Sequence, residues 1–343
     1  MPFHLRRPRV LLVLAAATVL SVPLSAVACG GDDDDSGDAA PSPSAVPATA
    51  TSAALPTAPA EAAPVLPASV TDKDGKTVQV KDVSRIVVLN GDLAEVVYAL
   101  GLGENVVGLD TSATYPPEAK AKQNIGYQRT LSAEGILSLN PTVIIGSDAA
   151  GPPAVLEQIK AAGVTTVVFK SPASVEAIPD KITNVARALG VPNRGAALAK
   201  KTQDEFNAAL TLGKTAKSQP NVAFLYLRGA TTQFIMGKGS GADVMIANAN
   251  AKDAGVTAGV NGSAPITAEA LVAAQPDVIL VLTAGLQSVG GIDGVLKIPG
   301  VDQTPAGKNR RIVDLDDQYL LGLGPRAGLA LMDLVKLLHP ELK

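Results

Sequence analysis

Downstream of Ser84 the apolar positions follow two alternating periods. Arg85–Asn90, Val106–Leu109, Thr142–Ile145 and Thr165–Phe169 are short runs, mostly apolar and rich in valine and isoleucine. Between them Asp92–Leu100, Ser132–Leu139 and Pro153–Ala162 carry apolar residues at helical spacing, stopped by Gly101, Asn140-Pro141 and Gly163. Tyr115-Pro116-Pro117-Glu118 reads as a turn into a short helix. Strands that are apolar on both faces, separated by helices, predict a parallel sheet covered on both sides. Upstream, Val70–Val83 alternates polar and β-branched residues around Asp74-Gly75, which predicts a hairpin.

The rhythm then breaks. Ser174–Leu189 and Gly195–Thr211 are long helical patterns with only Gly190-Val191-Pro192 between them and no strand. Alternation resumes with strands at Val222–Arg228 and Gln233–Met236, then helices at Gly241–Ala249 and Ala268–Ala274. A strand at Asp277–Leu282, a helix near Gly291–Lys297, a strand at Arg311–Asp316 and a closing helix Pro325–Leu338 complete it. The pattern predicts an α/β fold of two Rossmann-like lobes, each with a central, mostly parallel sheet, joined by a long rigid helix. The halves echo each other: Leu131-Ser-Ala-Glu134…Asn140-Pro141-Thr-Val-Ile resembles Ile266-Thr-Ala-Glu269…Gln275-Pro276-Asp-Val-Ile, as a duplication would leave them.

The N-terminus changes the setting. Arg6, Arg7 and Arg9 precede an apolar run, Val10–Val22, that is short for a membrane span, and Ala26-Val27-Ala28-Cys29 follows. This resembles an export signal ending in a lipobox, with Ala26 where leucine is usual and Cys29 as the lipidated residue. Cys29 is the only cysteine, so no internal disulfide can form. Gly30–Leu66 holds the Asp32–Asp35 run and then Pro, Ala, Ser and Thr, a composition that cannot bury a core. The expected organisation is a signal peptide over 1–28, a lipidated cysteine and tether over 29–67, an N-terminal lobe over 68–172, an interlobe helical segment over 173–218 and a C-terminal lobe over 219–343. The expected location is extracytoplasmic, with the chain anchored to the cell membrane through lipid on Cys29. The chain has 343 residues and a net charge of −3, with no basic stripe outside the leader, which argues against nucleic acid.

Candidate chemistry centres on tyrosine. Ile125-Gly-Tyr-Gln-Arg-Thr-Leu-Ser-Ala-Glu-Gly-Ile-Leu-Ser-Leu puts Tyr127 and Arg129 in a loop before a helix, and Tyr226-Leu227-Arg228 ends a strand. With these motifs the chain resembles the substrate-binding proteins of ABC importers for cobalamin, siderophores and heme, from about Ser84 onward. The Ile125 segment is closest to heme-binding members. There a tyrosine in the place of Tyr127 ligates the iron; other members pair a histidine of this lobe with a tyrosine in a Tyr-x-Arg of the other. The resemblance implies capture of ferric heme as cargo, with Tyr127 and Tyr226 as metal ligands, and no enzymatic activity. Arg129, Arg228 and Met236 line the cargo in this reading. It also implies an ABC permease dimer with its ATPase subunits as partner. On the permease would dock one glutamate per lobe, Glu134 and Glu269, which also sit where they cap their helices. Cobalamin or a ferric siderophore is the alternative cargo.

The chemistry is sensible in its own right. Ferric iron is a hard acid that favours anionic oxygen. A phenol must lose its proton to bind; the metal's charge drives most of that, and a guanidinium two residues along the same strand face assists. His4 lies in the leader and His339 after the last helix, where it reads as a surface residue, so no histidine reaches a cleft. Of the remaining tyrosines, Tyr98 reads as core, Tyr115 as a turn residue and Tyr319 as a candidate cleft wall. Gly237-Lys-Gly-Ser-Gly241 lacks the phosphate-loop spacing and reads as a tight turn, with amides available to a propionate. An α/β enzyme finds little support: there is no G-x-S-x-G, no G-x-G-x-x-G after the first strand and no usable histidine base.

Overall fold

The computed structural model describes residues 63–172 and 174–342. The leader, Cys29, the Asp32–Asp35 run and the tether lie outside the described residues. A hairpin of β1 (Ala68–Thr71) and β2 (Thr77–Val80) opens the body, its turn closed by the Asp72 carboxylate, which accepts from the Asp74 and Lys76 amides.

The first lobe runs β3 (Ile86–Val88), α1 (Gly91–Ala99), β4 (Val106–Leu109), β5 (Gln123–Asn124), α2 (Ala133–Leu137), β6 (Val143–Ser147), α3 (Pro153–Ala161) and β7 (Thr165–Phe169). Its strands lie in the order β5-β4-β3-β6-β7, all parallel. β3 and β6 are buried along their whole length, which is why these runs are apolar on both faces.

Two helices follow without a strand, α4 (Ile178–Ala188) and the 22-residue α5 (Pro192–Gly213). At 1.5 Å per residue α5 is about 33 Å long, enough to run past both lobes.

The second lobe comprises β8 (Asn221–Arg228), β9 (Thr232–Met236), α6 (Ala242–Asn248), β10 (Lys252–Asp253), α7 (Ala254–Thr257), β11 (Ser263–Pro265) and α8 (Ala268–Ala274). It continues with β12 (Val278–Leu282), α9 (Thr283–Ser288), α10 (Ile292–Leu296), α11 (Pro305–Lys308), β13 (Ile312–Leu315), α12 (Asp317–Leu321) and α13 (Ala327–Leu338). The order β11-β9-β8-β12-β13 is parallel across β8, β12 and β13 and antiparallel across β8, β9 and β11.

α5 is the spine. α4 packs on it from the first lobe and α13 from the second. Both contacts need glycine: a Cβ at Gly195 would stand 2.2 Å from the Ala186 Cβ, and one at Gly328 would stand 2.5 Å from the Phe206 amide nitrogen. One apolar cluster runs from Val88 and Ile145 through Ile182, Leu198 and Phe206 to Phe224, Leu280 and Leu331, so the lobes share a core.

Polar groups bridge the lobes beside it. Glu95 of α1 and Arg326 are 2% and 1% exposed and form a bidentate pair, Nε to Oε1 at 2.9 Å and Nη2 to Oε2 at 2.8 Å. Burial pushes the Glu95 carboxyl up while the guanidinium pulls it down; the two-point geometry is that of an ionised pair. Arg326 stacks under Tyr115 at 3.5 Å and Tyr319 at 4.9 Å. Gln318 of α12 donates to Gly91 O at 2.8 Å and accepts from the Thr114 and Tyr115 amides at 2.8 and 3.0 Å. Lys181 of α4 joins Asp92 Oδ2 (2.8 Å) to Gly322 O (3.2 Å). Gln318 lies past the end of β13, and its partners lie past the ends of β3 and β4. The carboxyl edges of the two sheets therefore face each other at this seam.

Candidate functional site

Ligands of open α/β sheets bind outside the carboxyl ends of the strands, so the facing edges are where a site is sought. In the first lobe the chain leaves β5 and turns through Gly126–Thr130. Its backbone is pinned from both sides: Thr111 N donates to Gly126 O at 3.0 Å, Gly151 N to Gln128 O at 2.8 Å and Thr130 N to Tyr127 O at 2.8 Å. On this fixed loop the Tyr127 side chain is 49% exposed, one of few large apolar surfaces in water among the described residues. Arg129 is exposed beside it. Under the loop, Asn90 donates to the side-chain Oε1 of Gln128 and accepts from Ser147 N at 2.7 Å. Buried Asp110 closes the floor. Burial pushes its carboxyl up to about 6, against hydrogen bonds from Ser112 that pull it down.

In the second lobe β8 delivers Tyr226 and Arg228 to its carboxyl end, both partly exposed. The guanidinium carbon stands 4.5 Å from the Tyr226 ring centroid, so the two-residue spacing does place cation beside phenol. Arg228 also donates to Leu227 O at 2.8 Å and is paired with Asp317, the first residue of α12. Burial pushes the Asp317 carboxyl up, and Arg228 opposes it. Met236 is not brought to this edge. β9 runs antiparallel to β8, with Tyr226 opposite Phe234 and Arg228 opposite Thr232. That leaves Met236 one strand over, roughly 7 Å deeper along the ladder than Tyr226, and packed against the core. Phe234, not Met236, is the apolar neighbour of Tyr226. The sequence signal for it was the antiparallel return after Gly229, which fixes the pairing.

The other tyrosines are committed elsewhere. Tyr319 is 2% exposed and donates to Asp333 Oδ2 at 2.9 Å, so it is no cleft wall; burial and Asp333 hold its phenol well above the usual range. Burial pushes the Tyr98 phenol up to about 12. Tyr115 stacks on Arg326. His339, read as a surface residue, is fully buried, with Nε2 2.8 Å from Ala249 O. α13 tucks its C-terminus under α6, near the start of β8 and so at the edge opposite Arg228. The Gly237–Gly241 amides are also spoken for: Asp243 accepts from Gly239 N at 2.7 Å and from Gly241 N at 3.0 Å, so this turn offers them to no propionate.

Glu134 and Glu269 occupy matching places, second residue of α2 and of α8, after caps in which Ser132 and Thr267 accept from the Gly135 and Ala270 amides. Both are exposed, and neither carboxylate makes a hydrogen bond or ion pair among the described residues. Each helix runs back along the strand it feeds, which puts its N-terminus on the carboxyl-edge side of its sheet. A cavity of about 470 Å³ lies elsewhere, between the hairpin, the end of β7 and α4, and includes none of the tyrosines. Among the described residues no group of three or more His, Cys, Asp or Glu side chains is placed to hold a metal ion. Tyr127 on the first lobe and Tyr226 on the second are the phenols these edges present outside the seam, where Tyr115 stacks on Arg326.

The sequence profile described as periplasmic binding protein matches residues 86–319, the two lobes and the spine between them. The chain belongs to that family. It is similar to the periplasmic heme-binding protein RhuT from Roseiflexus sp. RS-1, solved in apo form, at 54% identity and a TM-score of 0.74, covering 76% of this chain and 100% of that one. It is also similar to the uncharacterized ABC transporter substrate-binding lipoprotein YvrC of Bacillus subtilis (strain 168), 27% identical over 279 residues, 80% of this chain and 86% of the relative. Likeness to the vitamin B12-binding protein of Yersinia pestis (strain Pestoides F) is thinner, 25% over 149 residues, 43% of this chain and 52% of the relative. As a member of the family the chain is a two-lobed substrate-binding protein of the transport class.

Proposed function

We propose that this protein captures ferric heme between its lobes and hands it to an ABC importer. The observation that carries the reading is the pair of solvent-reaching tyrosines on facing carboxyl edges, in a chain 54% identical to a heme-binding protein over 76% of its length. Tyr127 is the principal iron ligand: its loop is pre-formed and its phenol points into water, so binding costs little reorganisation. Tyr226 faces the cargo from the other lobe, with Arg228 favouring its anionic form or meeting a propionate. Arg129 serves a propionate on the first lobe. Phe234, opposite Tyr226, forms the apolar wall of the second lobe. Lipid on Cys29 and the tether over 29–67 would hold the body at the outer face of the membrane; the similar YvrC is named a lipoprotein.

Cobalamin is the competing cargo. Titration of the purified protein with hemin and with cyanocobalamin separates them. Saturation by hemin without measurable cobalamin binding is expected; the reverse order would replace heme by cobalamin in this account.

A continuous core and a buried seam make the lobes poor at swinging, because a helix with packed neighbours is a stiff link compared with paired loops. Small-angle scattering with and without hemin should therefore give nearly equal radii of gyration. A contraction of several ångström would contradict a rigid spine.

Delivery is assigned to Glu134 and Glu269, one uncommitted carboxylate per lobe for one permease subunit each. Rim charges steer encounter and orientation more than they add affinity. The double variant Glu134→Lys, Glu269→Lys should bind hemin as the wild type does. It should fail to stimulate the transporter ATPase in liposomes, and wild-type stimulation should weaken as salt rises. Normal stimulation by the variant would reduce both glutamates to helix caps.

A further inference from the structure

The heme reading uses Arg228 but gives no task to the carboxylate that holds it. Asp317 and Arg228 form an ion pair at the cleft edge, with side chains 29% and 35% exposed. The two partners are not equally free to move. Asp317 stands on α12, whose backbone is anchored on every side: Asp316 caps it by accepting from Tyr319 N at 3.0 Å, Gln318 is buried in the seam, and Tyr319 and Leu320 are in the core. Arg228 is the last residue of β8, on a long side chain ahead of the turn at Gly229, where φ is +65°. Its partners are Leu227 O and Asp317, and the ring of Tyr226 lies under it. The carboxylate is the fixed member and the guanidinium the mobile one.

This edge therefore presents a neutralised pair, not a bare cation. Heme carries two propionate carboxylates. One of them approaching Arg228 meets a carboxylate already in place, and two anions cannot share one guanidinium without repulsion. We infer that Asp317 is a resident counter-ion which a carboxylate of the cargo replaces on Arg228, and that this exchange discriminates porphyrins with free carboxylates from those without. This rests on the heme reading of the cleft. A specificity device of this kind lowers affinity for the right ligand, but it keeps the charge of Arg228 paired against other anions.

The exchange has a sign that a merely structural role for Asp317 lacks. Asp317→Asn keeps the shape and the acceptor for Ala284 N (3.4 Å to Oδ2) while removing the competing charge. It should raise hemin affinity about tenfold, and should leave the affinity for hemin dimethyl ester, whose carboxylates are masked, nearly unchanged. In an Arg228→Gln background the same substitution should do nothing to the hemin-to-ester ratio, since the cation over which the two carboxylates compete is gone. Thermal unfolding of each variant checks that the fold is retained, and Asp317→Ser serves if the asparagine variant is poorly folded.

Equal gains for hemin and its ester would mean that Asp317 acts on the iron ligand, and would overturn the exchange. Weaker hemin binding by Asp317→Asn would mean that it only positions Arg228, and would overturn it as well. Wild-type protein that binds neither porphyrin would instead remove the heme reading itself, and the exchange with it.

Discussion

Glu95→Ala is expected to destabilise the protein by about 3–5 kcal/mol, the usual cost of stranding one member of a buried ion pair. The Glu95 carboxylate is the shared acceptor of the seam: it takes the Arg326 guanidinium at two points, the Arg326 amide at 3.2 Å and the Gln318 amide at 3.2 Å. Removing it takes from a guanidinium that is 1% exposed the carboxylate it grips at two points, and takes the acceptor from the Arg326 and Gln318 donors as well. Urea unfolding of the apo-protein at neutral pH is the measurement. The double replacement Glu95→Met, Arg326→Met should lose clearly less than Glu95→Ala alone, because two apolar groups of similar size need no partner. A single variant within about 0.5 kcal/mol of wild type would mean that the seam is hydrated in solution and that the lobes are held by the α4–α5–α13 packing alone.

Tyr127→Ala should lower hemin affinity at least tenfold, about 1.4 kcal/mol. The side chain is half in water and takes no part in the bonds that pin its loop, which run through the backbone of residues 126–131 and their neighbours. Loss of affinity in this variant would thus report a lost contact with cargo and not a collapsed loop. Tyr226→Ala tests the second lobe in the same way, with a smaller loss expected if Tyr127 dominates. Unchanged affinity and spectrum in Tyr127→Ala would remove it as a ligand and shift the assignment to Tyr226.

The two-lobed frame was legible because its signals are local. Continuous valine and isoleucine runs, Gly and Pro stops and the two long helical patterns each report a neighbourhood of about a dozen residues. The pairing of Tyr226 with Arg228 was legible for the same reason: a strand sets it by a two-residue period. What escaped depends on partners far apart in the chain. Glu95 reads as one polar residue within an apolar helix and Arg326 as a helix start, and nothing local joins residues 231 positions apart. Asp317 escaped because α12 has only five residues ahead of a Gly-Leu-Gly stretch, too short for a period to show. β11 ends in proline, which argues locally against a strand, yet it pairs at the sheet edge where a missing amide is tolerated. His339 was misread because a polar residue past a helix end is usually wet; here the helix end docks under α6 and the imidazole meets Ala249 O. The amides of Gly237–Gly241 were misread because the carboxylate that fills them, Asp243, belongs to the first turn of the next helix and folds back over the loop.

Tyrosine-ligated heme capture is tested most directly by the absorption spectrum of the purified wild-type protein and of Tyr127→Phe after addition of hemin. Wild type should give a Soret band with the charge-transfer feature of a high-spin ferric tyrosinate, and the phenylalanine variant should lose that feature while keeping its fold. A wild-type spectrum indistinguishable from free hemin would contradict the account.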